Sequence, residues 1–216
     1  MKIGIVIPAL NEAKTVGGVI ASVIEIGHVI VVDDGSTDGT SEVAEAAGAT
    51  VVRHKENSGY DAALASGYAR AIELDCDAVA TIDADGQISV ADLKAVLERL
   101  HNGGADMVIG IREKPARFAE AWFGAYTKFR FGVPDILCGL KAFTASVYHK
   151  HGSLTYGNSI NTAMFLAALR DGVRYATVPV SISPREGESR FGSGLRANWR
   201  ILKVILSAIA RDCRPV

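Results

Sequence analysis

The first half of the chain alternates between short apolar runs and segments whose apolar residues recur at helical spacing. Short continuous apolar runs are typical of strands buried on both faces, whereas apolar residues three and four positions apart lie on one face of a helix. Repeated alternation of the two indicates βα units, which build a parallel sheet flanked by helices. We therefore predict an α/β fold with early strands at residues 2–7, 28–32, 50–53, 78–82 and 106–111.

Helices are predicted between these strands, among them one over residues 59–74 and one over 91–100. Asn11 is the expected N-cap of the first helix, because an Asn side chain accepts hydrogen bonds from the free amide groups of a first helical turn. The apolar face of that helix would consist of Val16, Val19, Ile20, Val23 and Ile24.

The alternation ends after residue 111. Helices are then predicted over 118–131, 160–169 and 195–211, and strands over 138–144 and 175–183. No linker or repeat interrupts the sequence, so we predict a single domain over 1–216. Its expected parts are a nucleotide-binding half (1–111), an acceptor half (112–194) and a C-terminal amphipathic helix (195–216).

An acidic pair follows the predicted fourth strand. Asp83 and Asp85 are two positions apart, so on an extended chain their carboxylates project to the same side and can bind one ion. Oxygen ligands without Cys or His suit Mg²⁺ or Mn²⁺, which take further ligands from water and substrate phosphates. The alternative is an ordinary strand that ends in an Asp-Gly turn.

Polar loops follow three of the predicted strands, at residues 8–12, 33–38 and 83–87. Ligands of open α/β sheets bind beyond the carboxyl ends of the strands, where these loops would meet. Acidic residues there suit the hydroxyl groups and base edge of a nucleotide. Helix capping by Ser36, Thr37 or Asp38 is the alternative for the second loop, but it leaves Asp33 and Asp34 unexplained.

Composition excludes other classes of function. The formal net charge of −1 argues against binding nucleic acid, which requires a large basic surface. The three cysteines are far apart and form no metal-binding or disulfide pattern, which favours a reducing, cytoplasmic setting. No apolar run reaches the roughly 20 residues that span a bilayer, so we expect no membrane-spanning helix.

Three sequence blocks together resemble the signature of family 2 glycosyltransferases with the GT-A fold. They are the residues at 7–12 (IPALNE), 31–40 (VVDDGSTDGT) and 83–87 (DADGQ). The chain is most similar to the branch that transfers sugars to dolichyl or polyprenyl phosphate. Further likeness is found at 135–143 (DILCGLKAF) and at 184–192 (PREGESRFG), where Arg190 takes the place of a lysine of that branch.

The resemblance implies roles for individual residues. Mg²⁺ or Mn²⁺ would be held by Asp83, Asp85 and Gln87, and the catalytic residues would be Asp85 and Arg190. The nucleotide sugar would bind to Pro8, Ala9, Asn11, Glu12, Asp33, Asp34, Gly35, Asp61, Asp83 and Ala84. The acceptor phosphate would bind to Arg117, Arg130, Arg185, Ser189 and Arg190, since guanidinium groups match phosphate oxygens.

Two positions depart from the family pattern. Tyr60 occupies the place of a lysine in the G-K-G block of that branch, which leaves the identity of the donor open. Residues 158–162 contain no carboxylate where many relatives carry the base that activates an acceptor hydroxyl. A phosphate acceptor is already ionised near neutral pH and needs no such base. This favours a phosphate acceptor, although an inactive relative is the alternative.

We therefore predict an inverting, metal-dependent transfer of sugar from GDP-mannose or UDP-glucose, or a similar donor, to a polyprenyl phosphate. The alternatives are a soluble sugar or small-molecule acceptor, a non-catalytic nucleotide-sugar-binding protein and, less favoured, a D-x-D phosphatase. The basic amphipathic helix at 195–211 is a candidate contact with the inner face of a membrane. Core packing or an oligomer contact would explain that helix equally well, and the oligomeric state is open.

Overall fold

The computed structural model describes residues 1–102, 104–113, 118–152 and 160–183. Within these ranges, seven strands form one sheet. The strands are β1 (Ile3–Ala9), β2 (His28–Asp33), β3 (Thr50–Arg53), β4 (Ala78–Thr81), β5 (Met107–Arg112), β6 (Lys141–Thr144) and β7 (Tyr175–Val180).

The same ranges contain helices between the strands. They are α1 (Val16–Val23), α2 (Thr40–Ala46), α3 (Tyr60–Glu73), α4 (Val90–Asn102), α5 (Phe118–Phe131), α6 (Ala145–His151) and α7 (Ile160–Arg170). The predicted strand at 50–53 and helix at 118–131 have the observed bounds. Helix α6 was not predicted, because its short sequence follows β6 directly with no turn residue between them. The predicted helix over 195–211 lies outside the described residues.

The strand order is β3-β2-β1-β4-β6-β5-β7. Strand β6 runs antiparallel to both β4 and β5, and the remaining pairs are parallel. The mostly parallel sheet is thus confirmed, with β6 as the exception. The chain between α5 and β6 returns to the edge at which β5 ends, where the amide of Gly110 donates to the carbonyl oxygen of Leu140 at 2.9 Å. Strand β6 therefore starts at that edge and runs back.

The parallel strands all end at the same edge of the sheet, which we call the carboxyl edge. It is formed by the last residues of β1, β2, β3, β4, β5 and β7 and by the first residue of β6. The polar loops at 8–12, 33–38 and 83–87 follow β1, β2 and β4 and so lie at this edge. The arrangement confirms that the sequence brings these three loops to one side of the molecule.

Helices cover both faces of the sheet. One apolar core packs between the sheet and helices α3, α5, α6 and α7, and a second core packs between the opposite face and α1, α2 and α4. Gly67 allows α3 to lie close to β1, since a Cβ atom at this position would be 2.3 Å from Cγ1 of Val6. A larger residue at Gly67 would push α3, whose first turn borders the carboxyl edge, away from the sheet.

The first helix begins later than the sequence indicates. Helix α1 starts at Val16, and Thr15 precedes it without a side-chain cap. The prediction that Asn11 caps this helix is therefore wrong. Asn11 has a left-handed backbone conformation, with φ of 51°, and its side-chain oxygen accepts a hydrogen bond from the amide of Thr37 at 2.8 Å. Tertiary contact with the neighbouring loop thus replaces the local cap.

None of the helices in the described ranges is long and apolar enough to cross a membrane.

Candidate active site

Asp83 and Asp85 lie directly beyond the end of β4, in the middle of the carboxyl edge. Strand β4 is flanked by β1 and β6, so the acidic pair is bordered by the loop after β1 and the segment that leads into β6. Both side chains are half-buried. The position confirms that the acidic pair stands at a strand end in the ligand-binding region of an open α/β sheet.

Asp83 is held from two sides. Its Oδ1 atom accepts a hydrogen bond of 2.9 Å from the hydroxyl group of Tyr60, at the start of α3. On the other side is Gly139, where a Cβ atom would lie only 2.4 Å from Oδ2 of Asp83. Burial and the charge of Asp83 raise the pKa of Tyr60 well above its usual value, so its hydroxyl group remains a hydrogen-bond donor.

The charge of the Asp83 carboxylate is only partly compensated by the protein, because the nearby cations Arg112 and Lys141 lower its pKa without outweighing the effects that raise it. Burial raises the pKa of the Asp83 carboxyl above its usual value, and the negative charge of Asp85 raises that pKa further. The hydrogen bond from Tyr60 acts in the opposite direction and lowers the pKa. Two carboxylates that repel each other at a half-buried site favour the binding of a divalent cation.

Asp85 and Gln87 form a tight turn at the same edge. The backbone amide of Gln87 donates to Oδ1 of Asp85 at 3.1 Å, and its side-chain nitrogen donates to the carbonyl oxygen of Ser183 at 2.9 Å. The side-chain nitrogen of Gln87 is thus engaged in a hydrogen bond, and its side-chain oxygen is the atom suited to a cation. A cavity of about 480 Å³ lies beside this turn, between α1 and residues 85–90.

These residues fit a hard divalent cation whose remaining ligands come from a substrate. No cluster of three or more His, Cys, Asp or Glu side chains with metal-ligand geometry occurs among the described residues. Asp83, Asp85 and the oxygen of Gln87 are an incomplete set of hard ligands. Mg²⁺ is commonly bound in this way, by one or two carboxylates, water and substrate phosphates.

The loops after β1 and β2 are bonded to each other. The amide of Asn11 donates to Oγ of Ser36 at 2.7 Å, and the amide of Glu12 donates to Oγ1 of Thr40 at 2.8 Å. The amide of Thr37 in turn donates to the side chain of Asn11. Asn11 and Glu12 therefore help to fix the wall of the site that borders β1. The resemblance gave these residues a role in binding, which stays a prediction.

Asp33 and Asp34, at the end of β2, have different surroundings. Asp33 is buried and accepts hydrogen bonds from the amide of Ser36, at 2.8 Å, and from the hydroxyl group of Ser41. Its carboxylate thus holds the loop between β2 and α2 in place. Nothing in these contacts requires a nucleotide, and the predicted binding role of Asp33 stays a prediction.

Asp34 organises the start of α3. Its carboxylate accepts hydrogen bonds from the amides of Ser58 and Gly59, at 2.9 and 2.8 Å, and its Oδ1 atom lies 2.7 Å from Nδ1 of His54. The amide of Asp34 donates to the carbonyl oxygen of Ala9, which joins β2 to the end of β1. Asp34 thereby positions the helix turn that carries Tyr60, the partner of Asp83.

The remaining predicted donor residues also lie at the carboxyl edge. Pro8 and Ala9 end β1, and Gly35, with φ of 80°, follows β2. Asp61 occupies the first turn of α3, and buried Ala84 separates the two carboxylates. The structure therefore brings the ten predicted nucleotide-sugar residues to one edge of the sheet. Their individual contacts with a donor stay predictions.

The predicted acceptor residues are not brought together in the same way. Arg117, Arg185, Ser189 and Arg190 lie outside the described residues. Arg130 is exposed in the last turn of α5, and the carbonyl oxygen of the next residue, Phe131, accepts a hydrogen bond from Tyr175 at the first position of β7. Arg130 thus lies toward the edge opposite the acidic pair, which argues against its contact with an acceptor phosphate there.

Sequence reasoning missed Lys141, the first residue of β6. Lys141 is 1% exposed, and its backbone pairs in register with Thr81 of β4. Its Nζ atom lies 5.0 Å from the centroid of the Phe165 ring. Burial lowers the pKa of Lys141 to about 8, although the charges of nearby acidic groups counteract this effect. The signal that could have revealed it is a lysine within an otherwise apolar strand.

A second buried contact lies near Lys141. The hydroxyl group of Tyr68 on α3 donates a hydrogen bond of 3.1 Å to the side-chain oxygen of Asn161 on α7. Both side chains are buried. Asn161 occupies the segment in which many relatives were expected to carry an acceptor base, and here its amide joins two helices. Helix α7 contains no Asp or Glu over Ile160–Arg170.

Comparison with known proteins identifies the family. The profile of Glycosyl transferase family 2 matches residues 4–131, which include all three signature blocks and with them Asp83 and Asp85. The chain belongs to glycosyl transferase family 2. This confirms the resemblance derived from the three blocks, and with it the prediction that the protein is a glycosyltransferase.

Two relatives of this family 2 enzyme have names that refer to polyprenyl lipids. The undecaprenyl-phosphate mannosyltransferase of Micrococcus luteus is 28% identical, with 90% of this chain and 89% of that protein covered. The polyprenol monophosphomannose synthase of Mycolicibacterium smegmatis is 26% identical, with 91% and 86% covered. These relatives support the polyprenyl-phosphate branch of the family.

The fold of this family 2 enzyme is also found in a solved structure. The crystal structure of glucosyl-3-phosphoglycerate synthase from Mycobacterium tuberculosis, in complex with Mn²⁺, UDP and glucosyl-3-phosphoglycerate, matches 100% of this chain and 81% of that chain. The TM-score is 0.75 at 21% identity, a similarity that shows the fold alone. The predicted GT-A α/β fold is thereby confirmed.

Proposed function

We propose that this enzyme transfers a sugar from a nucleoside diphosphate sugar to a polyprenyl phosphate, with inversion at the anomeric carbon and with Mg²⁺ or Mn²⁺ at Asp83 and Asp85. The observation that carries the proposal is the acidic pair at the end of β4, where burial and mutual repulsion raise the pKa of Asp83. Repulsion of this kind is relieved when a cation binds to both carboxylates.

The donor side of the proposal is supported by the residues around the acidic pair. The loops after β1, β2 and β4 meet at one edge, and Asp34 fixes the helix turn that carries Tyr60. Tyr60 in turn holds one oxygen of Asp83. A bound cation would offset the negative charge that grows on the departing diphosphate, which is a Lewis-acid role.

The acceptor side is supported by the relatives and by the composition of α7. Two relatives are named undecaprenyl-phosphate mannosyltransferase and polyprenol monophosphomannose synthase. Helix α7 offers no carboxylate, and the side-chain oxygen of Asn161 is bonded to Tyr68. An acceptor hydroxyl group would need a base, whereas a phosphate acceptor is largely ionised at neutral pH and can attack without one.

In the proposed reaction, an oxygen of the acceptor phosphate attacks the anomeric carbon of the donor sugar from the side opposite the diphosphate. A carbon–oxygen bond to the acceptor forms while the carbon–oxygen bond to the diphosphate breaks, and the nucleoside diphosphate leaves with the electron pair. The protein's contribution is to hold the reacting groups in line and to place Asp83 beside the leaving group. Arg190 remains our candidate for the acceptor phosphate, on the resemblance alone.

A transfer assay tests the proposal. Purified enzyme is mixed with UDP-glucose or GDP-mannose and a short-chain polyprenyl phosphate, with Mn²⁺ or with EDTA, and the lipid product is separated from the donor. We expect metal-dependent lipid glycosylation that the Asp85→Ala variant lacks.

Other results would contradict the proposal in distinct ways. Transfer to water-soluble phosphates or sugars but never to the lipid would contradict the acceptor class. Metal-dependent binding of a nucleoside diphosphate without any turnover would indicate a binding protein. Full activity of Asp85→Ala, or hydrolysis of phosphate monoesters without a nucleotide, would overturn the site itself.

A further inference from the structure

Helix α5 is apolar on two opposite sides. Its inner side packs into the core through Phe123, Gly124 and Thr127. Its outer side carries Phe118, Trp122 and Phe129, which are 77, 69 and 92% exposed. A surface helix of a globular protein normally presents polar residues to water, so the outer side calls for an apolar partner.

The three exposed rings form one stripe along the helix. They occupy positions i, i+4 and i+11, a spacing that places side chains on the same face. The rings of Phe118 and Trp122 are in contact, with centroids 6.4 Å apart. We call Phe118, Trp122 and Phe129 the aromatic stripe. The 14 residues of α5 give it a length of about 21 Å.

The charges beside the aromatic stripe are positive. Lys128 and Arg130 are exposed in the last turn of α5, next to Phe129. The one acidic residue of the helix, Glu120, is buried and forms an ion pair of 3.0 Å with Arg112. The outer side of α5 therefore combines aromatic rings with cations and presents no carboxylate.

The aromatic stripe is connected to the candidate active site through Arg112. This residue ends β5 at the carboxyl edge, and it forms ion pairs with Glu120 on α5 and with Asp135. Asp135 belongs to the segment that continues to Gly139, which lies against Asp83. The end of α5 that carries Phe118 and Trp122 thus lies toward the acidic pair.

We propose that the aromatic stripe of α5 docks this enzyme on an anionic lipid bilayer, with α5 lying in the plane of the interface. Trp and Phe favour the boundary between head groups and acyl chains, and cations beside them are attracted to anionic lipids. This inference deepens the proposed function and rests on it for the presence of a lipid substrate. It also differs from the earlier prediction of a membrane contact by residues 195–211.

A second copy of the chain suits the aromatic stripe less well. Aromatic side chains bury about 150–250 Å² each, so three rings offer roughly 450–750 Å². A stable dimer buries about 800 Å² on each partner. The paired cations would also repel each other across a symmetric contact. A bilayer needs no matching surface and accepts a narrow stripe of rings.

Fluorescence of Trp122 tests the docking directly. The sequence has two tryptophans, so Trp199→Phe leaves Trp122 as the single emitter. We expect its emission to shift to shorter wavelength with phosphatidylcholine vesicles that contain phosphatidylglycerol. Lipids brominated in the upper acyl chain should quench it. Co-sedimentation without any change in Trp122 emission would place the contact elsewhere, for example in residues 195–211, and would overturn the proposal.

Variants identify the residues responsible. The triple variant Phe118→Ser, Trp122→Ser, Phe129→Ser should weaken vesicle binding by at least about tenfold, because the apolar area that enters the interface is removed. Lys128→Ala with Arg130→Ala should weaken binding to anionic vesicles by roughly tenfold. The matched control Lys94→Ala with Arg99→Ala removes two exposed cations from α4 and should leave binding unchanged.

Two outcomes would contradict the docking. Unchanged vesicle binding by the triple variant would show that the aromatic stripe is not the contact. A concentration-dependent dimer that the triple variant abolishes, together with no vesicle binding by the unmodified chain, would assign the stripe to a second copy. None of these assays measures sugar transfer, so an enzyme that docks but does not transfer would contradict the proposed function alone.

Discussion

The hydroxyl group of Tyr60 donates a 2.9 Å hydrogen bond to Oδ1 of Asp83, which joins the first turn of α3 to the acidic pair at the end of β4. Tyr60 stands where the polyprenyl-phosphate branch was expected to carry a lysine. The departure from the family pattern thus has a structural consequence: a neutral donor orients the carboxylate without neutralising it. The negative charge of Asp83 is therefore retained for a cation.

Replacement of Tyr60 by Phe should weaken metal binding. The variant loses a hydrogen bond to a charged group, which contributes about 1.5–3 kcal/mol, and leaves Asp83 free to turn away. We expect the affinity for Mn²⁺ with UDP to fall about tenfold or more in isothermal titration calorimetry. Tyr68→Phe is the control, because it removes a buried hydroxyl group that bonds Asn161. Equal losses in both variants would argue against a specific role of Tyr60.

Metal binding should weaken on acidification at a higher pH than for an ordinary carboxylate pair. Burial and the charge of Asp85 raise the pKa of Asp83. Protons therefore compete with the cation for Asp83 at a higher pH than they would for a carboxylate with its usual pKa. The same raised pKa means that protonation stabilises the fold, and this stabilisation is lost as the pH rises through the folded pKa.

The Asp83→Asn variant checks both consequences. Near neutral pH and without metal, its free energy of unfolding should exceed that of the unmodified enzyme, because no charge is buried. Metal should stabilise the unmodified enzyme but not the variant. Thermal melts with EDTA and with Mn²⁺ between about pH 4 and 8 measure this. An Asp83→Asn variant that is less stable than the unmodified enzyme at neutral pH would contradict the prediction.

Substitution of Gly139 by Ala should damage the site while the fold is retained. The added Cβ atom would lie 2.4 Å from Oδ2 of Asp83, so the carboxylate must move. We expect transfer activity to fall by about 100-fold, since small misplacements of reacting groups have effects of this size. Gly18→Ala on α1 is the matched control, because its Cβ atom would meet nothing within 4 Å. Activity close to normal in Gly139→Ala would show that Asp83 needs no fixed position.

Removal of the Lys141 charge should stabilise the enzyme at neutral pH. Burial lowers the pKa of Lys141 from 10.5 to about 8, so the ammonium group destabilises the fold below pH 8. This cost is relieved as the pH rises from about 8 to 10.5, over which the unfolded chain binds more protons than the folded one. The unmodified enzyme should therefore gain on the order of 3 kcal/mol of stability across this window, relative to Lys141→Met.

Chemical denaturation of both proteins at several pH values measures that difference. The difference in unfolding free energy between Lys141→Met and the unmodified enzyme should shrink as the pH rises. A constant difference would show that Lys141 keeps its usual pKa. Because Lys141 lies under the carboxyl edge, the donor affinity of the variant should be measured in parallel. A loss of donor affinity with a gain in stability would indicate that the buried charge serves binding.

Local patterns predicted most of the secondary structure. Residues 50–53 and 118–131 have the predicted bounds, because apolar periodicity depends on neighbours along the chain. The direction of β6 was not predictable in this way, since it depends on where the chain returns after α5. The prediction that Asn11 caps the first helix was wrong for a similar reason. The side-chain oxygen of Asn11 accepts its hydrogen bond from the amide of Thr37, which is remote in the sequence.

The candidate site was predicted in its position but not in its contacts. The order of the three blocks placed Asp34, Asp83 and Asp85 at one edge of a sheet, and the structure agrees. Lys141 was missed because its burial depends on the packing of α7, where Phe165 lies against it, and no local pattern in the sequence shows that contact. Arg130 was expected near an acceptor phosphate, although the end of α5 lies toward the opposite edge.

The sequence by itself determined the family, the alternation of strands and helices, and an acidic pair at a strand end. These features depend on residue type and local spacing. Only the tertiary structure decided that Tyr60 and Gly139 enclose Asp83, that Lys141 is buried and that α5 turns three aromatic rings outward. Both sides of α5 are apolar, so spacing alone could not distinguish its core side from its outer side. Packing among the described residues decides this, because Phe123 enters the core beneath α5 whereas the aromatic stripe is left exposed.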